Sequence, residues 1–154
     1  MSLKGYSFSL QTPLKVKTIH KARLQGQFQS ITKRVEEKKK ALDGLTNEGQ
    51  RVNLKIESLA FEGVVAASLK EYYTYLKLVQ DEILQQESEY RRLLDERMDL
   101  QKALIQILNE IDMLEKLKDK QYREYMDEIE KRSQRELDET INYKTFIQGG
   151  MIYG

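Results

Sequence analysis

The sequence predicts an all-α fold: an antiparallel two-helix coiled-coil hairpin with an overhanging C-terminal helix. Composition comes first. Of 154 residues one is proline, none is tryptophan or cysteine, 33% are charged and only 40% are hydrophobic. That mixture, rich in straight-chain residues, favours long helices over a compact core. The second observation is a sustained apolar repeat in two separate stretches. The third is a glycine-containing break between them, at Phe61-Glu-Gly-Val-Val-Ala-Ala67.

Residues 1–12 read as an extended N-terminal arm, in which Tyr6, Phe8 and Leu10 alternate with polar residues. Thr12-Pro13 then signals a helix start. Threonine can cap free amides, and proline at the first helical position gives up an N–H that has no partner there. Helix 1 is predicted over 13–60. A turn over 61–68 follows, and Ser68-Leu-Lys-Glu71 forms a capping box that opens helix 2. Helix 2 is predicted over 69–143, with a flexible tail at 144–154.

Spacing decides what the helices do. In helix 1 the alternating series Leu24, Phe28, Ile31, Val35, Lys38, Leu42, Leu45, Gly49, Val52, Ile56, Leu59 is apolar at nine of eleven positions. In helix 2 the series Leu69, Tyr72, Leu76, Val79, Ile83, Gln86, Tyr90, Leu93, Arg97, Leu100, Leu104, Ile107, Ile111, Leu114 is apolar or tyrosine at twelve of fourteen. A 3.5-residue repeat of this length winds helices into a left-handed coiled coil. A turn centred on residue 64 sets facing positions at numbers that sum to 128, so Val35 meets Leu93 and Ile56 meets Tyr72. The same frame sets Lys38 against Tyr90, Gln86 against Leu42, Arg97 against Ile31 and Gly49 against Val79, so that no two polar seam residues meet. A slip of one heptad, to sums of 121 or 135, remains an alternative register.

The register assigns a distinct role to Leu114-Glu-Lys-Leu-Lys-Asp-Lys-Gln-Tyr-Arg-Glu-Tyr-Met-Asp-Glu-Ile-Glu-Lys-Arg-Ser-Gln-Arg-Glu-Leu-Asp-Glu139. Residue 13 lies opposite residue 115, so helix 2 outruns its partner at about residue 116. The continued seam positions Lys118, Gln121, Tyr125, Glu128, Arg132, Arg135 and Glu139 are apolar only once. The overhang 116–143 would project roughly 42 Å at about 1.5 Å per residue, with the arm covering its first turn or two. A lone helix of that length is marginal in water even with i,i+4 charge pairs. It therefore reads as a surface awaiting a partner, with Leu117, Tyr122, Tyr125, Ile129, Leu137 and Ile141 to grip. The alternative is a plain solvated helix end. At the other extreme, Tyr73 and Tyr75 fall outside the seam just past the turn. They are either exposed anchors or pack back onto Phe61 and Val64.

Catalytic chemistry is not in the pattern. His20 is the single histidine and sits among basic residues; the acids are interleaved with Lys and Arg along helix faces. No phosphate loop and no metal-ligand spacing occurs, and a two-stranded coiled coil encloses almost no dry cavity. The expectation is a non-enzyme without cofactors. No stretch has the roughly 20 apolar residues of a membrane span, and no signal peptide is read, so a cytoplasmic protein without membrane insertion is expected. Residues 1–40 carry ten Lys/Arg against two acids, the remainder sixteen against twenty-three. A basic arm can bind nucleic acid, but the basic residues lack the interleaved aromatics of single-strand binders. A basic helix lying against an acidic one is the simpler account. A generic coiled-coil scaffold or adaptor is a further reading.

The opening Phe8-Ser-Leu-Gln-Thr-Pro-Leu-Lys-Val-Lys17 resembles the start of the FliJ family. The closing Leu114-Glu-Lys-Leu-Lys118, Tyr122, Tyr125 and Gln134-Arg-Glu-Leu-Asp-Glu139 resemble its C-terminal pattern. FliJ proteins are the small stalks of the flagellar type III export apparatus, related to YscO-type stalks of injectisomes. The resemblance implies that the end carrying both termini inserts into a hexameric export ATPase, promoting its assembly and activity. It implies that the other end reaches the cytoplasmic domain of the export-gate membrane protein, and that export chaperones are partners. It also implies a cytoplasmic protein peripherally associated with the inner-membrane export apparatus. Carried onto this chain, ATPase-ring binding falls to Leu117, Tyr122, Arg123, Tyr125, Arg135, Leu137, Asp138 and Glu139, with Lys15 and Lys17 alongside. Export-gate binding falls to Tyr72, Tyr73, Tyr75 and Val79.

Overall fold

The computed structural model describes residues 6–153, and the side chains of residues 6–150. Among these residues the chain forms two helices, α1 (Gln11–Phe61) and α2 (Ala66–Tyr153), and no strand.

Each boundary differs from the sequence expectation for a local reason. α1 starts two residues before Pro13. The Leu10 carbonyl accepts the first helical bond from the Leu14 amide at 3.1 Å, and the Gln11 amide donates back to Phe8 O at 3.1 Å. Pro13 thus stands third in the helix, where its missing N–H is still one of the amides that lack an intrahelical partner. α2 starts before Ser68, because Val65 O already accepts from the amides of Ser68 and Leu69 at 3.0 and 3.4 Å. Ala66 and Ala67 let the helix reach back past the expected capping box, alanine having the highest helix propensity. At the far end α2 continues through Tyr153 rather than stopping at residue 143. Gly149 and Gly150 weaken a helix without removing a backbone donor, so neither ends it as proline would. The first five residues of the expected arm, and the last residue of the expected tail, lie outside the described residues.

The turn is a Schellman motif. The Val64 amide donates to Leu59 O at 3.1 Å and the Gly63 amide to Ala60 O at 3.2 Å. Gly63 sits at φ +77°, a conformation that a β-carbon would penalise. This glycine is what reverses the chain.

The described residues divide into two compact units. In the unit of residues 21–106 the helices pack antiparallel. Val35 and Leu93 share a cluster with Ile31, against which Tyr90, Leu94 and Leu100 pack. Nearer the turn, Val52, Ile56 and Leu76 form a second cluster with Leu69 and Tyr72. Between the two clusters, a β-carbon on Gly49 would stand 3.8 Å from Val79 Cγ1. Val35/Leu93, Val52/Leu76, Ile56/Tyr72 and Gly49/Val79 are all pairs at the 128 register, and a one-heptad slip is inconsistent with them. Every one of the eleven seam positions expected in α1 is buried or half-buried. Burying each aliphatic side chain contributes about 1.5–3 kcal/mol.

One pairing differs from expectation. Lys38 does not lie along Tyr90 alone; its Nζ donates to Gln86 Oε1 at 2.6 Å and to Glu89 Oε2 at 2.8 Å. Two polar seam positions therefore do meet, because a lysine stem spans a full helical turn and reaches diagonally across the seam. A polar pair inside a largely apolar seam favours one register over its slipped neighbours.

Candidate functional site

The first candidate surface belongs to the unit formed by residues 1–20 and 107–154. Here Leu14, Ile107 and Ile111 are buried, and Leu114, Leu117, Lys118, Gln121, Tyr122 and Tyr125 are half-buried. Beyond Tyr125, every side chain from Met126 to Gln148 is exposed. The cover over α2 thus ends at Tyr125, some nine residues later than helix pairing alone predicts.

The N-terminal arm makes the difference. Tyr6 and Phe8 are 8% and 6% exposed. The Tyr6 ring lies 5.4 Å from that of Tyr122, edge-on, and 5.3 Å from that of Tyr125. Its hydroxyl donates to the carbonyl oxygen of Lys118 at 3.2 Å. An extended chain advances about 3.3 Å per residue against about 1.5 Å in a helix. Five arm residues therefore cover about twice as much of α2 as five more helical residues would. Ser7 between the anchors and Ser9 after them are exposed to solvent.

Past the arm, Met126, Ile129, Leu137 and Ile141 recur on one side of α2 at near-helical spacing. All are exposed, as are Tyr143, Phe146 and Ile147. The charges around them are spaced for pairing within the helix: Asp127/Lys131, Glu128/Arg132, Arg132/Glu136 and Arg135/Glu139 are all i,i+4. The Gln134 amide group donates to Asp138 Oδ1 at 3.3 Å. The result is a self-solvated helix with a narrow apolar face.

The expected ring-binding residues separate into three groups on this unit. Leu117, Tyr122 and Tyr125 sit at the arm, the two tyrosines directly beneath Tyr6. Arg123 is exposed between those tyrosines, and Arg135, Leu137, Asp138 and Glu139 are exposed on the uncovered helix. Lys15 is exposed on α1, whereas Lys17 Nζ is bound to Glu110 Oε2 at 2.6 Å and so helps hold α1 to α2. The sequence reading omits Tyr6 and Phe8 from the site, although their alternation with serine is the signal that marks them. It also omits Met126 and Ile147, which follow the same apolar face, and the exposed Phe146.

The second candidate surface lies by the turn, in the unit of residues 21–106. Tyr73 is exposed, and so is Phe61, at 95%, so the tyrosines do not pack back onto that ring. Tyr75 is exposed along its ring but tethered at its hydroxyl, which donates to Glu48 Oε1 at 3.0 Å. Arg51 holds the same carboxylate through Nε and Nη2 at 3.0 and 2.6 Å. The Arg51 hydrogen bonds, with that from Tyr75 second, pull the Glu48 pKa down to about 2. Tyr72 and Val79 are placed differently: Tyr72 packs against the Val52 cluster, and Val79 is 6% exposed against Gly49. These two build the seam, and the free aromatic surface here is Tyr73, Tyr75 and Phe61.

No group of three or more His, Asp or Glu among the described residues is placed to hold a metal ion. No helix among them is long and apolar enough to cross a membrane.

No curated protein and no solved structure matches the chain. A family model described as the flagellar FliJ protein matches residues 6–150, nearly the whole chain, and the chain therefore belongs to the FliJ family of flagellar export stalk proteins, which are structural proteins and not enzymes.

Proposed function

We propose that this chain is the stalk that seats in the hexameric export ATPase through the free end of α2, with Tyr122 and Tyr125 at the root of that end also meeting the ring, and that it promotes assembly and turnover of the ring. The observation that carries the proposal is the mismatch between cover and helix. Cover ends at Tyr125 while α2 runs on to Tyr153, and the uncovered length keeps an apolar face among charges of both signs. A ring of identical subunits suits such a helix. Exposed charge pairs contribute only about 0–1 kcal/mol each, so contact with any one subunit is weak and can be exchanged for the next. In the same reading Tyr73 and Tyr75, with Phe61, meet the cytoplasmic domain of the export-gate membrane protein, and export chaperones are further partners. The protein acts in the cytoplasm at the inner-membrane export apparatus.

The test is a chain ending at Tyr125. It keeps the arm, its tyrosine seat and the whole packed seam. We expect thermal unfolding close to that of the full chain, and complete loss of ATPase stimulation. Full stimulation by the shortened chain would remove the free helix from the mechanism.

A second reading uses the same face: a scaffold that self-associates through Met126, Ile129, Leu137 and Ile141. Sedimentation of the pure protein separates the two, since the stalk sediments as a monomer and the scaffold as a stable oligomer.

A further inference from the structure

The arm lies on the residues that the proposed docking needs. Tyr122 and Tyr125 each present a ring to Tyr6, and ring surface that Tyr6 covers cannot at the same time meet another protein. The arm is also lightly held. Among its described residues the stretch ahead of α1 is not helical, its two buried anchors alternate with exposed serines, and one hydrogen bond, from the Tyr6 hydroxyl to Lys118 O, ties it directly to α2. Segments held by few buried contacts open at a small fraction of the cost of unfolding the whole protein.

We infer that residues 6–8 form a strap that competes in cis with the docking partner for Tyr122 and Tyr125, so that full engagement of α2 requires the strap to lift. The inference rests on the proposal that these tyrosines contact the ATPase ring, and it supplies that contact with a control. A strap closed most of the time lowers apparent affinity by the fraction of chains that are open. The free chain is thereby kept from offering its largest aromatic cluster to unrelated proteins.

The chain has no native cysteine, and Ser7 and Glu124 line the same shallow cleft beside Tyr6. The double variant Ser7→Cys, Glu124→Cys can therefore be closed with a reducible crosslinker. Stimulation of the purified hexameric export ATPase is expected to be about tenfold lower for the closed protein than for the same protein after reduction. Tyr6→Ala with Phe8→Ala, which unfastens the strap, is expected to bind the ATPase about three- to tenfold more tightly than the natural chain. Equal stimulation by the closed and reduced forms would overturn the strap. So would weaker binding by the unfastened variant, which would make the arm part of the docking surface. Tyr122→Ala, measured alongside, separates the two ideas. If it loses stimulation while closing the strap has no effect, the strap fails and the docking proposal stands. If Tyr122→Ala stimulates fully, Tyr122 is no part of the docking surface and the strap fails, while docking through the free helix is decided by the chain ending at Tyr125.

Discussion

Along α2, Leu76, Val79 and Leu93 are buried at seam spacing, whereas no side chain from Met126 to Gln148 is covered. The backbone is helical in both stretches and the charge density is similar, so helix formation alone does not distinguish them. In the first stretch, tertiary packing of one face holds the helix, which is the usual source of helical stability in proteins. In the second, only propensity and i,i+4 pairs on the same helix are available, worth about 0.2–0.5 kcal/mol per pair. A helix of that kind gains most from a partner that covers its apolar face.

Truncating one leucine in each stretch tests this contrast most strongly. Leu93 is 3% exposed in the Ile31/Val35 cluster. Leu93→Ala should cost about 2–4 kcal/mol, read as a fall in the urea midpoint, because the site cannot collapse fully around the lost atoms. Leu137 is half exposed, and Leu137→Ala should change stability by less than about 0.5 kcal/mol. Its effect should appear instead in ATPase stimulation. Comparable losses of stability at the two positions would mean that the free helix is packed in solution.

What could be read from the sequence follows the same division. The seam was legible because a 3.5-residue repeat leaves few other faces to bury, and Gly63 fixed the centre of the turn and with it the register. Loss of apolar seam positions after Leu114 correctly signalled an uncovered end. The extent of that end was not legible from pairing: helical counting places the limit near residue 116, and only an extended arm with Tyr6 over Tyr125 moves it. The start of α2 was hidden for a different reason. Val65 offers a carbonyl and no capping side chain, while the better capping residue, Ser68, lies inside the helix. At the turn, aromatic clustering pointed to Tyr72, Tyr73 and Tyr75 together, but the seam takes Tyr72. Spacing alone also could not show that Lys38 reaches Gln86 and Glu89, because that depends on the length of the lysine stem.

Gly49 sharpens the contrast from within the packed region. It occupies a seam position, and a glycine in a helix interior costs about 0.5–1 kcal/mol relative to alanine. A β-carbon there would lie 3.8 Å from Val79 Cγ1 and 4.0 Å from Ile83 Cδ1, ordinary contact distances. Gly49→Ala should therefore stabilise the protein by about 1 kcal/mol, combining propensity with one new packed methyl. The midpoint of denaturant unfolding measures it. A destabilised variant would show that the helices approach more closely here than these distances allow.

The smallest expected effect concerns charge. Paired helices let a carboxylate find donors on both strands: Glu48 accepts from Arg51 on α1 and from Tyr75 on α2. Its pKa falls from 4.5 to about 2, with the Arg51 hydrogen bond the larger cause and the Tyr75 hydrogen bond the next. A carboxyl whose folded pKa is lowered favours the folded state above its unfolded pKa. Its contribution is therefore complete above about pH 4.5 and disappears as pH falls toward 2. Because Glu48 is solvent-accessible, the change in overall stability across that window should be small, and the cleaner measurement is the titration of its carboxyl carbon by NMR. The midpoint should move up further for Arg51→Gln than for Tyr75→Phe. In both variants it should stay below 4.5, since one donor remains. A larger shift for Tyr75→Phe would make the inter-helix bond the dominant one, and would give the turn surface a rigidity that a single hydroxyl contact does not otherwise imply.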